Sequence, residues 1–99
     1  MTENFVYFDL ETQRSANDVG GWDKKADMKM SVGVTYSSAR GGYMIYDESN
    51  VQDLINELLA ADVVIGFNHI YFDYEVLMGY TILDLKEQTK NLDLMLDIE

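Results

Sequence analysis

Two carboxylates, Asp9 and Glu11, stand at i and i+2 inside the apolar run that begins at Phe5 and ends at Thr12. An extended chain sends every second side chain to the same side, so the pair shares one face of the strand that carries it. An unpaired carboxylate in apolar surroundings is costly to ionise, and the first thirteen residues hold no Lys or Arg to neutralise it. A bound cation is the simplest partner. Two neighbouring oxygen donors suit a hard divalent ion, Mg²⁺ or Mn²⁺. The plainer alternative is a solvated strand end beside a turn.

The elements that would position these groups follow from hydrophobic periodicity. Phe5 to Glu11 reads as the first strand, and the polar stretch Gln13 to Lys29, with Gly20 and Gly21, as an irregular connection. Met30 to Ser37 and Tyr43 to Tyr46 read as two strands joined by a hairpin loop at 38 to 42, giving an antiparallel meander of three strands. The period then changes. Val51, Leu54, Ile55, Leu58 and Leu59 recur as one face of an amphipathic helix, with Ser49 and Gln52 spaced as a capping box.

Val63 to Phe67 is a continuous apolar run of the kind found in a parallel strand covered on both faces. A helix crossing over to it from the meander follows naturally. Tyr74 to Met78 reads as a second, short helix ended by Gly79 in a left-handed cap, and Leu92 to Leu96 as a last strand. The fold class is therefore α/β, with a mixed sheet and helices against it.

Length and composition bound the function. A chain of 99 residues is one small domain, 1–99. No apolar stretch is long enough to span a membrane, and no basic n-region precedes the first strand. Zero cysteines excludes disulfides and thiolate metal sites and is compatible with a cytoplasmic setting. The net charge of −11 repels polyphosphates at long range unless metal ions or basic segments neutralise it.

Phe8-Asp9-Leu10-Glu11-Thr12 resembles the first motif of the DEDD family of 3′ to 5′ exonucleases, which have a ribonuclease-H-like fold. Gly66-Phe67-Asn68-His69-Ile70-Tyr71-Phe72-Asp73 resembles the second motif, an Asn after a central strand followed by Phe-Asp at the start of a helix. The resemblance extends over essentially the whole chain and includes predicted bacterial exonucleases. It implies a metal-dependent nuclease acting on the 3′ end of single-stranded DNA or RNA, with two Mg²⁺ or Mn²⁺ ions in the complete family site. It further implies that Asp9, Glu11 and Asp73 are catalytic metal ligands. Leu10, Thr12, Asn68 and Phe72 would contact the terminal nucleotides.

The family's third motif, Tyr-x-x-x-Asp or His-x-x-x-x-Asp on a late helix, has no counterpart in the right place. Tyr43 to Asp47 and Tyr80 to Asp84 match only as text. The resemblance thus implies a C-terminally truncated domain or a short form. The reading from a different class is a non-catalytic interaction module that keeps the fold, and an exposed C-terminal edge could be covered by a second copy. A simple single-ion binding protein lacks support, because no calcium loop is present. His69 is read as a packed residue, Trp22 as a cover for the core edge, and Asp93 either as a neighbour of the metal face or as a backbone cap.

Overall fold

The computed structural model describes residues 3–97. Its sheet has five strands: β1 (Phe5–Thr12), β2 (Met30–Ser37), β3 (Gly42–Tyr46), β4 (Val63–Gly66) and β5 (Asn91–Asp93). They lie in the order β3-β2-β1-β4-β5. The pairs β1–β2 and β2–β3 are antiparallel, and β1–β4 and β4–β5 are parallel. The meander followed by parallel strands is the mixed α/β sheet expected from the period changes along the chain.

Helices are α1 (Ala16–Val19), α2 (Val51–Ala60), α3 (Tyr74–Leu77), α4 (Leu85–Gln88) and α5 (Leu94–Asp97). Helix α2 buries Val51, Leu54, Ile55 and Leu58, the stripe set by its 3.6-residue period. These side chains join Val6, Phe8 and Leu10 of β1, Val64 of β4, and Tyr74, Val76, Leu77 and Leu85 in one core. Gly33 lets α2 close on β2, since a Cβ there would fall 2.8 Å from Leu54 Cδ2.

The opposite face of the sheet has a different character. Phe5, Tyr7, Tyr43, Ile45 and Leu92 are exposed, and register places Val34 beside Asp9 and Ile45 beside Val34. An open cleft of about 620 Å³ on this face is lined by Tyr7, Tyr36, Tyr43, Ile65, Phe67 and Leu94. The face is apolar except at one end, where β1 presents Asp9 and Glu11.

Five local expectations are revised. The 13–29 connection contains α1 and a 3₁₀ segment at Trp22–Asp27, because Ser15 and Asp18 form a capping box and Gly20 supplies a left-handed C-cap. Ser49 does not cap α2. Asp47 instead accepts the Ser49 N–H and opens a 3₁₀ turn at Glu48–Asn50 that leads into the helix. Gly79 is not left-handed; its missing side chain admits the Ala26 carbonyl, which a Cβ would strike. Helix α4 is unforeseen and is capped by Asp84, whose carboxylate accepts the Glu87 N–H. The last strand ends at Asp93 instead of Leu96, because that carboxylate turns inward and the chain leaves as α5.

Candidate acidic site

Parallel pairing of β1 with β4 sets the carboxyl ends of the two strands side by side, the usual location of sites in open α/β sheets. Asp9 and Glu11 lie near the end of β1, on its exposed face. Gly66 ends β4, and the chain turns at once through Asn68, which is left-handed at φ 58°. A π-helical turn then spans His69–Asp73 and runs into α3. Such turns often occur at functional sites. This one returns Asp73 to β1, where its Oδ2 accepts the Leu10 N–H at 3.2 Å.

The turn is pinned from behind. Asp93 Oδ1 accepts N–H bonds from Asn68 (2.8 Å) and Met95 (3.0 Å), while Oδ2 accepts one from Ile70 (3.3 Å). Burial works to raise the Asp93 carboxyl, but the three N–H bonds and the nearby His69 outweigh it and hold the pKa below its usual value. Asp93 thus caps the backbone of the turn, and its charge also reaches Asp73. His69 is fully buried. Its Nε2 meets Asn91 Oδ1 at 3.0 Å, its Nδ1 lies 3.8 Å from Asp93 Oδ2, and its ring sits edge-on to Tyr74. Gly66 makes room for that ring, since a Cβ would come within 2.7 Å of Nδ1. His69 is packed, as its apolar neighbourhood in the sequence suggests.

Asp73 is only 4% exposed. Burial, followed by the negative charge of Asp9, pushes its pKa up to about 7 despite the Leu10 N–H bond, with Asp93 adding to the rise. Among the described residues, neither Asp9 nor Asp73 forms a salt bridge with a Lys or Arg. An all-oxygen donor set whose members repel one another fits a hard cation chemically. The geometric fit is narrower. Among the described residues no three His, Asp or Glu side chains converge closely enough to hold a metal ion; the interaction within the acidic set that the structure shows is that of Asp9 with Asp73.

The residues expected to meet a nucleotide divide similarly. Leu10 is a core side chain whose N–H is given to Asp73. Asn68 serves through its backbone, and the Thr12 hydroxyl donates to the Arg14 carbonyl. Phe72 is half-buried and meets Trp22 edge-on, with ring centroids 6.3 Å apart. Trp22 does not cover the core edge. It is 64% exposed, because the 3₁₀ segment that carries it runs over the surface with no buried residue.

No family model matches the chain, and no curated protein matches it. Among solved structures it is similar to the family B DNA polymerase from the hyperthermophilic archaeon Pyrobaculum calidifontis, with a TM-score of 0.64 and 13% sequence identity. The match covers 96% of this chain and 16% of that one. At this identity the likeness concerns the fold, and the strand order and directions are compatible with a ribonuclease-H-like sheet.

Proposed function

We propose that the chain is a metal-dependent 3′ to 5′ exonuclease domain in which Asp9 and Asp73 hold a divalent cation, Mg²⁺ or Mn²⁺, with Glu11 joining them when the ion binds. The observation that carries this reading is the convergence of two carboxylates from distant parts of the chain without a cationic side chain between them. Asp73 is held by the Leu10 amide and by a turn fixed through Asp93, so it is preorganised at the cost of electrostatic strain. A divalent ion at such carboxylates supplies charge neutralisation of the scissile phosphate and an activated water. Asp9 and Asp73 keep the acceptor atoms in place, while Thr12, Asn68 and Phe72 border the entrance for a strand end. Asp73 must be ionised to act, which its raised pKa delays until near neutrality.

The direct test is incubation of 5′-labelled single strands of DNA and of RNA with the 99-residue chain and Mn²⁺. Stepwise shortening from the 3′ end is expected, falling at least a hundredfold in Asp9→Asn and Asp73→Asn. A folded protein that leaves both strands intact, or variants that cut as fast as the parent, would refute the proposal.

The apolar sheet face favours a second reading, an interaction module in which that face is buried by a second copy. Its exposed Tyr43, Ile45 and Phe67 form the kind of contiguous patch that marks an association site. Light scattering should then show a dimer that Ile45→Glu dissociates; a strict monomer at high concentration excludes it.

A further inference from the structure

Hydrogen bonds around the buried His69 decide which of its ring nitrogens carries a proton. Asn91 Nδ2 donates to the Thr89 carbonyl at 3.2 Å and to Thr89 Oγ1 at 2.9 Å. The Thr89 hydroxyl gives its own proton to the Leu85 carbonyl, so Oγ1 is an acceptor towards Asn91. The Asn91 amide is thereby oriented. Its Oδ1 faces the Tyr74 hydroxyl at 2.5 Å and His69 Nε2 at 3.0 Å, and both must donate to it. His69 Nε2 therefore carries a hydrogen, and in the neutral ring Nδ1 carries none.

The consequence is an unsatisfied atom inside the fold. Among the described residues, His69 Nδ1 is buried with no hydrogen-bond partner. The atom 3.8 Å from it is Asp93 Oδ2, also an acceptor. Two acceptors facing each other away from water are costly. One proton on Nδ1 removes the conflict, because it turns the contact into a charge-assisted hydrogen bond.

The titratable groups set against the ring are Asp93 of β5 and Tyr74 of α3, the latter with its hydroxyl proton given to Asn91. β4 meets the ring with Gly66 and β5 also with Asn91, both neutral. Asp93 is thus the counter-charge for an imidazolium. Its Oδ2 already accepts the Ile70 N–H at 3.3 Å. His69 and Ile70 open the π-helical turn that Asp73 closes, so a bond from Nδ1 would fasten the first residue of that turn to the carboxylate that pins it.

We propose that His69 is a positioning residue for Asp73: as an imidazolium it donates from Nδ1 to Asp93 Oδ2 and latches onto β5 the turn that carries Asp73. Loss of that proton to water releases the latch. Its bearing on catalysis rests on the exonuclease reading, whereas the latch itself does not.

His69 is the lone histidine, so imidazole ¹⁵N signals report on this latch alone. The intact chain in EDTA, titrated across about pH 5 to 8 where imidazole changes charge, should pass from imidazolium to a neutral ring protonated at Nε2. At the pH where the parent is half protonated, Asp93→Asn should hold about tenfold less imidazolium, the loss of one charge-assisted hydrogen bond. By linkage, protection of the Ile70 amide from hydrogen exchange should fall about tenfold as His69 loses its proton. This series needs no change at Asp93 and stands even where that variant does not fold. Asp73 also titrates at about 7, so the series is repeated in Asp73→Asn, where the fall should persist; in His69→Gln, which cannot take up the proton, it should vanish. A neutral ring protonated at Nδ1, an unchanged imidazolium fraction in Asp93→Asn, or Ile70 protection indifferent to pH overturns the proposal. A working latch without any strand shortening in Mn²⁺ would sink the hydrolytic reading and leave the latch standing. Normal shortening with no coupling of His69 to Asp93 would do the reverse.

Discussion

Glu57 and Asp73 are both shielded carboxylates, and their surroundings treat them in opposite ways. Glu57 accepts hydrogen bonds from Thr35 and the Tyr46 hydroxyl at 2.7 Å each, and pairs with Arg40 at 2.7 Å. Burial acts to raise its pKa, but the bonds from Tyr46, Thr35 and Arg40 prevail and leave it lowered. Burial, followed by the contact with Glu57, drives the Tyr46 hydroxyl up to about 12. Asp73 has only backbone N–H donors, those of Leu10 and Asp73 itself, with a repelling Asp9, and burial first and then that charge push its pKa up to about 7. The fold thus completes the ionised state of one acid and leaves the other wanting a positive charge. A shielded carboxylate that the chain itself leaves unsatisfied is a candidate binding position.

The largest expected effect separates the two by pH. Without metal, the folded Asp73 retains its proton well above the pH at which the unfolded chain, with a value near 3.8, releases it. Its contribution to stability is therefore fully present below about pH 4 and is lost as pH rises towards 7 and beyond. The loss is on the order of a few kcal/mol. Asp73→Asn keeps an acceptor for the Leu10 N–H and carries no charge, so urea unfolding in EDTA should find it more stable than the parent at pH 8 and roughly equal at pH 4. A parent no less stable at pH 8 than the variant would show that the carboxylates are not in conflict.

A smaller effect of opposite sign is expected at Glu57. Because its pKa is depressed, its stabilisation is present above the unfolded value of about 4.5 and is lost as pH falls through the folded one. Glu57→Gln should cost about 1–3 kcal/mol at pH 7 by weakening its charge-assisted bonds to Arg40, Thr35 and Tyr46. The deficit should shrink on acidification. A deficit that is constant from pH 7 to pH 3 would mean that packing, and not charge, is what Glu57 provides.

How far the sequence reveals these features depends on the range of the interaction involved. Strands β1 to β4 and helix α2 are legible because a repeating apolar stripe is a local signal that burial then reinforces. Asp9 and Asp73 stand in two short motifs that are visible in the sequence, one within the first strand and one starting at the end of the fourth. The failures lie where one side chain decides the backbone path. Asp47 takes the Ser49 N–H and moves the helix start, and Asp93 reaches across to Asn68 and Ile70 and stops β5. Neither contact leaves a periodic trace. Trp22 misleads for a related reason: its hydrophobicity predicts burial, whereas its position on a surface 3₁₀ segment keeps it exposed. Glu11 is the subtler case. Sharing a face with Asp9 follows from alternation and is seen in β1, but convergence on Asp73 does not follow from alternation.

The measurement that bears most directly on the unsatisfied acid is thermal unfolding of the intact chain at pH 8 with increasing Mn²⁺, beside Asp73→Asn and Glu57→Gln. An ion that binds only the folded state should stabilise the parent by about 2.7 kcal/mol at a hundred times its Kd, a rise in Tm of several degrees. The same rise should appear in Glu57→Gln and vanish in Asp73→Asn. A Tm indifferent to Mn²⁺ in the parent, or an equal rise in Asp73→Asn, would contradict the assignment of Asp9 and Asp73 as the cation site.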